Sequence, residues 1–405
     1  MTVDGRAAAG TDAVDSPAES AALDTPVRQL LCDLVATPSP SGEEADAGRL
    51  LAAFLRGCGR EVHTDAVGNV RAPAPGTEEG DDVLLTSHVD TVPGEVPVRV
   101  ETVSAAEARW GHSPVPDVGG DDEVAELWGR GSVDATGPLA TMAVAAVETG
   151  ASFAAVVGEE RGSRGARHLV GDRPAPAAVV NGEPSGWDAL TLGYRGFLPV
   201  TYTVETAAGH ASRPEPNAVQ YATAWWRRIA DRVVDDGGTL VGDDDTARPP
   251  DEPAGDAEGV STAVTATPTQ FDGGSTEDGA VRATVEAQFR IPPDTTAATL
   301  RERVVDATPH GTLSWGTAIP PTTASPRTEL ARAFRAAIRT AGGDTRLLRK
   351  TGTADANLYA DAWGVPTVTY GPGDSTLDHT SDERVPLPAV DHATAVLVDA
   401  VERLR

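Results

Sequence analysis

Seven residues scattered along the chain carry the side chains that metal-assisted hydrolysis uses: His88, Asp90, Asp134, Glu159, Glu160, Glu183 and His379. His88-Val89-Asp90 follows the apolar run Leu84-Leu85-Thr86-Ser87, and Glu159-Glu160 follow Ala154 to Val157 and a glycine. Glu183 follows Ala177 to Val180, Asp134 closes Gly129-Arg130-Gly131-Ser132-Val133, and His379 lies in Gly371 to Thr380. Neighbouring residues at a strand end point to different sides. Glu159 and Glu160 should therefore do different jobs: one can bind a metal while the other reaches a water bound to it. Imidazole and carboxylate without thiolate suit Zn²⁺ or a similar divalent ion in an open, reactive site. Two histidines and three carboxylates suffice for two ions if one carboxylate bridges, and ions about 3.5 to 4 Å apart can share a hydroxide and polarise a carbonyl together. In a chain with 61 Asp and Glu, an isolated Glu-Glu pair is an ordinary solvated loop. Its company at successive strand ends sets this pair apart.

Those strand ends need a scaffold. Pro26 to Ala36 has helical apolar spacing, broken by Pro38-Ser39-Pro40-Ser41-Gly42, and a second helix carries Ala45, Leu50, Leu51 and Phe54. Glu61 to Val70 reads as a strand with a turn at Gly68-Asn69, and Asp82 to Ser87 as a buried strand. Gly137 to Glu148 is a helix, followed by buried strands at Ala154 to Val157 and Ala177 to Val180. Helices alternating with buried strands give an α/β fold: a mixed, mostly parallel sheet with helices on both faces. Ligands in such sheets gather at the carboxyl ends of the strands.

Residues 103–125, rich in Ala, Asp, Glu, Gly and Pro, read as an inserted surface loop, and Trp110 and His112 within it as local packing. After Gly193-Tyr194-Arg195-Gly196 the period changes. Phe197 to Glu205 alternates, Ala218 to Val234 is helical, 235–259 is a polar loop, strands follow at 261–270 and 280–291, and a helix at 296–306. That pattern describes a small α+β domain. The expected organisation is an acidic disordered tail over 1–24, a catalytic domain over 25–195 and 319–405, and an inserted domain over 196–318. Helices at Glu329 to Ala341 and Pro388 to Leu404 and strands at Thr345 to Leu348 and Pro366 to Tyr370 complete the catalytic part.

Formal net charge is -28, and Lys350 is the sole lysine. An acidic excess with lysine almost absent points to a salt-rich cytoplasm, where screening removes self-repulsion. The charge argues against a nucleic-acid partner. No apolar run is long enough to cross a membrane, and Cys32 and Cys58 are too few for a disulfide framework, in keeping with a reducing cytosol.

On its motifs the chain resembles the M20 metallopeptidases, co-catalytic zinc aminoacylases and deacylases. The motifs are Ser-His-Val-Asp-Thr-Val-Pro-Gly at 87–94, Gly-Arg-Gly-Ser-Val-Asp-Ala-Thr-Gly-Pro at 129–138, Gly-Glu-Glu at 158–160, Asn-Gly-Glu-Pro at 181–184, and His379. The resemblance implies two Zn²⁺ ions, with Co²⁺ as an alternative. His88 and Glu183 hold one, Glu160 and His379 the other, and Asp134 bridges them. It implies that the Asp90 carboxylate orients the His88 ring and that Glu159 is the general base. Ala208-Gly209-His210-Ala211-Ser212-Arg213-Pro214 resembles the lid motif whose histidine stabilises the oxyanion in the partner subunit's site, which implies a homodimer. Thr136 stands where relatives often carry lysine, and no ligand is affected.

Lys350-Thr351-Gly352-Thr353-Ala354-Asp355-Ala356-Asn357 and Tyr370-Gly371-Pro372-Gly373-Asp374-Ser375 resemble one branch of that family. Its members release lysine or ornithine from the C-terminal glutamate of a small acidic amino-group carrier protein. A chain that has lost every other lysine keeps one here, which favours a substrate-side role for Lys350. Gly352 and Thr353 offer backbone to a substrate, and Arg195 and Asn217 are candidate carboxylate ligands. The alternative within the family is an acetylornithine deacetylase or succinyl-diaminopimelate desuccinylase. A non-catalytic relative would normally have lost a ligand or the base, and all are present.

Overall fold

The computed structural model describes residues 22–76, 80, 82–105, 115–116, 122–209, 214–234 and 262–405. The tail up to residue 21, Trp110, His112, His210 and the polar loop at 235–259 lie outside the described residues. The chain divides into two compact units. The first holds the described residues through Leu192 together with Ala324–Leu348 and Ala362–Arg405; the second holds Gly193–Thr323 and Arg349–Asp361.

The first unit is built on a mixed sheet. In chain order it contains α1 (Pro26–Val35), α2 (Ala45–Gly57), β1 (His63–Thr64), β2 (Val70–Ala72), β3 (Val83–His88), β4 (Arg99–Ser104), β5 (Glu123–Trp128), α3 (Thr136–Thr149), β6 (Ser152–Val156), α4 (Arg164–Asp172), β7 (Ala178–Gly182) and β8 (Ala189–Tyr194). The strand order is β1-β2-β6-β3-β7, then a later strand β15 (Thr367–Tyr370), then β8. The central pairs β6–β3, β3–β7 and β7–β15 are parallel; the flanking pairs β2–β6 and β15–β8 are antiparallel. β6 and β7 are buried along their whole length, so both faces of the sheet are covered. This is the expected fold class. α3 is apolar all round (Leu139, Met142, Ala143 and Ala146 are fully buried) and packs on β3. It stops at Gly150, whose φ of 71° provides a left-handed cap. α1 begins with Thr25 accepting the N–H of Arg28 and Pro26 in its first turn.

Several local readings need correction. The strand read over Glu61 to Val70 is two short strands. Between them the Asp65 carboxylate accepts the N–H groups of Val67, Gly68 and Asn69 and bends the chain. The stretch 103–125 is not wholly a loop. Its ends belong to β4 and β5, which pair antiparallel and take β16 (Arg384–Pro386) as a third strand. At their shared register Trp128 carries the guanidinium of Arg99 at 4.0 Å and that of Arg384 at 4.7 Å from its ring centre. α4 and β8 carried no expectation at all; α4 is short, nine residues of which Ala166, Leu169 and Val170 are apolar, and β8 ends in the Gly193-Tyr194-Arg195-Gly196 punctuation.

In the second unit β9 (Gly196–Thr206), β10 (Thr265–Ser275), β11 (Val281–Ile291) and β12 (Thr312–Trp315) form an antiparallel sheet in the order β10-β11-β9-β12. Alternate residues of β9 and β11 share a core with α5 (Ala218–Arg232) and α6 (Ala297–Asp306), centred on Tyr202 stacked on Trp225 at 4.5 Å. β13 (Thr322–Thr323) pairs with the end of β8. Arg349–Asp361 also belongs here, although the sequence pattern leaves it with the surrounding strands of the other unit. Long-range hydrogen bonds hold it: Arg195 donates its N–H to the Lys350 carbonyl and Nε to that of Thr351, and Asn357 Nδ2 donates to the carbonyls of Arg195 and Pro320. The first unit closes with α7 (Glu329–Thr340), β14 (Arg346–Lys350, which runs across the boundary) and α9 (Leu387–Glu402), with α8 (Asp355–Trp363) between the last two.

Candidate metal centre

Side chains from five separate segments of the first unit converge. His88 ends β3 and is 2 % exposed; Glu160 follows the turn after β6; Glu183 follows β7; Asp134 precedes α3. Gly158 makes the turn out of β6 with φ of 70°, a conformation that glycine adopts without strain. His379 is held in the left-handed region at φ 61°. Asp134 reaches both imidazoles, Oδ1 lying 3.2 Å from His88 Nε2 and Oδ2 3.0 Å from His379 Nε2. Glu160 Oε1 is 3.0 Å from His379 Nε2, and Glu183 Oε1 is 3.9 Å from His88 Nε2. Among the described residues, donor atoms of His88, Asp134 and Glu160 all lie within 4.8 Å of one another.

Asp90 takes a different part from the one expected. The His88 ring is oriented through Nδ1 by the main-chain carbonyl of Asp90 at 2.8 Å, while the nearer carboxylate oxygen is 3.7 Å away. The fully buried carboxylate instead accepts the N–H of Glu159 at 3.0 Å, the N–H of Glu160 at 3.1 Å and the hydroxyl of Ser41 at 2.6 Å. It is an anchor for the Glu159-Glu160 backbone. The His-x-Asp spacing signals closeness to the ring but cannot show which oxygen faces it.

The charges show what the cluster demands. Burial would push the Asp134 carboxyl up, but hydrogen bonds from His379 and His88 and their positive charge outweigh it and hold it far below the carboxylate range. The Asp134 hydrogen bond pulls His379 up to about 9, against burial and with help from Glu160. Burial would lower His88, yet its bond to Asp134 and the charges of Glu183, Asp134 and Glu159 hold it well above its ordinary value. Glu160 is raised, first by burial and then by the Asp134 charge. Carboxylates that draw protons onto both imidazoles make a site that demands cations. Nitrogen and oxygen donors without thiolate fit a divalent ion such as Zn²⁺ or Co²⁺. Metal uptake must then displace ring protons. Addition of Zn²⁺ or Co²⁺ to chelator-treated protein near neutral pH should release protons, and affinity should rise with pH up to about 9, the value for His379. Calorimetry in buffers of different ionisation enthalpy reads this directly; a buffer-independent heat contradicts it.

The other sequence candidates lie in the second unit. Lys350, Gly352 and Thr353 are half-buried at and after the end of β14. Arg195 is buried, its Nη1 bonded to the Thr265 hydroxyl, and burial followed by the charge of Arg290 lowers its pKa to about 10. Asn217 is the N-cap of α5: its side-chain oxygen accepts the Gln220 N–H in a capping box, which accounts for the residue without a ligand. Two groups escaped the sequence analysis. Arg290 has a buried Nη1 without a hydrogen-bond partner among the described residues and lies over Phe197 at 5.0 Å; the signal was an arginine between Phe289 and Ile291 in an alternating strand. Glu383, next to Arg130 and Asp134, gave no signal in so acidic a chain.

The profile of peptidase family M20/M25/M40 matches residues 84–403. A [LysW]-lysine hydrolase of Deinococcus radiodurans is 36% identical over 393 residues, covering 93% of this chain and 96% of that protein. A [LysW]-lysine/[LysW]-ornithine hydrolase of Sulfurisphaera tokodaii is 25% identical over 385 residues, with 93% and 95% covered. The M20 family metallo-carboxypeptidase Sso-CP2 from Sulfolobus solfataricus has the same fold, with a TM-score of 0.69 at 17% identity over 93% of this chain and 99% of that one. No helix among the described residues is long and apolar enough to cross a membrane.

Proposed function

Because the chain belongs to peptidase family M20/M25/M40 and is a hydrolase, we propose that it cleaves the γ-amide joining lysine or ornithine to the C-terminal glutamate of a small amino-group carrier protein. The near end-to-end likeness to a [LysW]-lysine hydrolase carries this reading. His88 and Glu183 would hold one divalent ion, and Glu160 and His379 a second, with an Asp134 oxygen for each; the spacing of these atoms supports that division. Zinc fits, and cobalt can replace it. When bound, the metal polarises the amide carbonyl and acidifies water. The Glu159 carboxylate takes the proton of the attacking water and delivers it to the nitrogen of the departing amino acid. Asp90 holds the backbone that aims Glu159. Lys350, Gly352, Thr353 and Arg195 are the proposed substrate-side groups. His210 of the partner subunit would stabilise the oxyanion in an active homodimer, and the unbridged Cys32 and Cys58 suit a cytoplasmic enzyme.

Past Glu160 the surface carries a run of arginines. Arg161, Arg164 and Arg167 are exposed, and Arg161 has no ion-pair partner among the described residues. A row of guanidinium groups suits a carboxylate-rich carrier, whereas the net charge of -28 repels it at long range. Turnover of carrier-linked lysine should therefore rise with salt more than turnover of N-acetylornithine does, and Arg161→Glu with Arg167→Glu should raise KM for the carrier-linked substrate alone. The deciving comparison is turnover in high salt of carrier-linked lysine, carrier-linked ornithine, N-acetylornithine and succinyl-diaminopimelate. Preference for either small acyl substrate would discard the carrier assignment and keep the metal chemistry.

A further inference from the structure

We propose that Glu383 is a positioning residue of the metal centre: its carboxylate fixes the backbone that presents Asp134, and thereby ties the Asp134 loop to the segment carrying His379. Glu383 is 1 % exposed. Its Oε1 accepts the N–H of Val133 at 3.1 Å and the N–H of Asp134 at 3.1 Å, and its Oε2 accepts Arg130 Nη1 at 2.6 Å. Its own carbonyl accepts the Gly129 N–H at 3.3 Å. Every one of these bonds lands on Gly129 to Asp134, the turn that ends in the carboxylate touching both imidazoles.

Glu383 is placed to act at this distance. It comes four residues after His379 and directly before β16, whose Arg384 lies opposite Trp128 in the register with β5. The chain is thus fixed to the sheet on one side of Glu383 and carries His379 on the other. A buried carboxylate is costly to desolvate and is kept only where charge-assisted bonds compensate. Here both oxygens are occupied by the protein, so Glu383 serves Asp134 through its backbone and does not compete for the metal. Loss of the acceptor would leave two buried N–H groups unsatisfied and free the Asp134 turn. Partners that orient metal ligands from behind typically contribute about 10- to 100-fold in metal affinity.

The inference rests on the metal reading above, and the test separates the two. Zn²⁺ and Co²⁺ affinity is measured by calorimetry on chelator-treated wild type, Glu383→Ala, Glu383→Gln and the double variant Glu383→Gln, Arg130→Met, each with a melting curve in chelator. The alanine variant is expected to bind metal about 10- to 100-fold more weakly, to lose kcat at unchanged KM, and to melt below wild type in chelator by less than that loss of affinity accounts for. In Glu383→Gln the amide nitrogen opposes the Arg130 guanidinium, which should weaken binding; the double variant removes that clash, keeps an oxygen for both N–H groups and should recover affinity. Wild-type affinity in Glu383→Ala overturns the proposal, as does a loss no larger than its destabilisation in chelator. Should the alanine variant fail to fold, equal affinity of Glu383→Gln and the double variant overturns it, and recovery in the double variant upholds it. A wild-type protein that binds neither metal defeats the metal reading itself.

Discussion

Glu159→Ala should lower kcat on carrier-linked lysine by about 10²- to 10⁴-fold while leaving metal content at the wild-type level. The two halves of that result come from different atoms. The ligand cluster uses Glu160, whose Oε1 meets His379 at 3.0 Å, and Asp134, which meets both histidines. Glu159 stands on the same turn, and its charge is felt by His88. The backbone of the turn is held by the Asp90 carboxylate through the N–H groups of both glutamates, so truncating one side chain leaves the other in place. Glu160→Ala should do the reverse and lose metal first. Metal analysis beside single-turnover kinetics tests the pair. Metal loss in Glu159→Ala, or a kcat within tenfold of wild type, would remove Glu159 as the base.

That two carboxylates leave this sheet end was legible in the local chemistry, while the choice of Glu159 as base came only from the resemblance. A buried strand, a glycine and two carboxylates fix which residues leave the sheet end. The same holds for His88, Asp134 and Glu183, each next to a short apolar run or a glycine turn, and for the parallel core of the sheet. The supporting contacts were not legible, for a common reason. Asp90 to Glu159 and Glu383 to Asp134 are bonds between a side chain and the main chain of residues far away in sequence. They need no particular residue type at the donor end, so no pattern marks them. The tie of Arg349–Asp361 to the second unit was not legible for a similar reason: carbonyls of Lys350 and Thr351 accept from Arg195, and the Asn357 side chain donates to the Arg195 carbonyl. Asn217 carries the opposite ambiguity, because a residue type suited to ligand binding is equally suited to capping a helix.

Asp82→Ala should destabilise the protein by about 3–5 kcal/mol, measured by denaturant unfolding in high salt, although Asp82 is remote from the chemistry. It immediately precedes β3, which ends in His88. Arg173 follows α4, the helix after Glu159-Glu160. Arg173 Nη2 donates to both carboxylate oxygens of Asp82, at 2.9 and 3.1 Å, and each side chain is 3 % exposed. Solvent and salt screen such a pair little, so removal of the carboxylate strands a buried guanidinium, even in concentrated salt. Burial by itself would raise the Asp82 pKa, but the Ser152 hydrogen bond, the Arg173 charge and bonds from Gly80 and Arg173 outweigh it and leave the pKa lowered. A carboxyl depressed in the folded state contributes its stability above its unfolded pKa and loses it as pH falls through the folded value. The difference between wild type and Asp82→Ala should therefore be full at neutral pH and shrink only in acid, below the ordinary carboxylate range. Replacing both partners by apolar residues, Asp82→Leu with Arg173→Met, removes the stranded charge and should restore most of the loss. If the single variant costs less than about 1 kcal/mol, in the range of exposed pairs, the pair does not anchor the elements that carry His88 and Glu159.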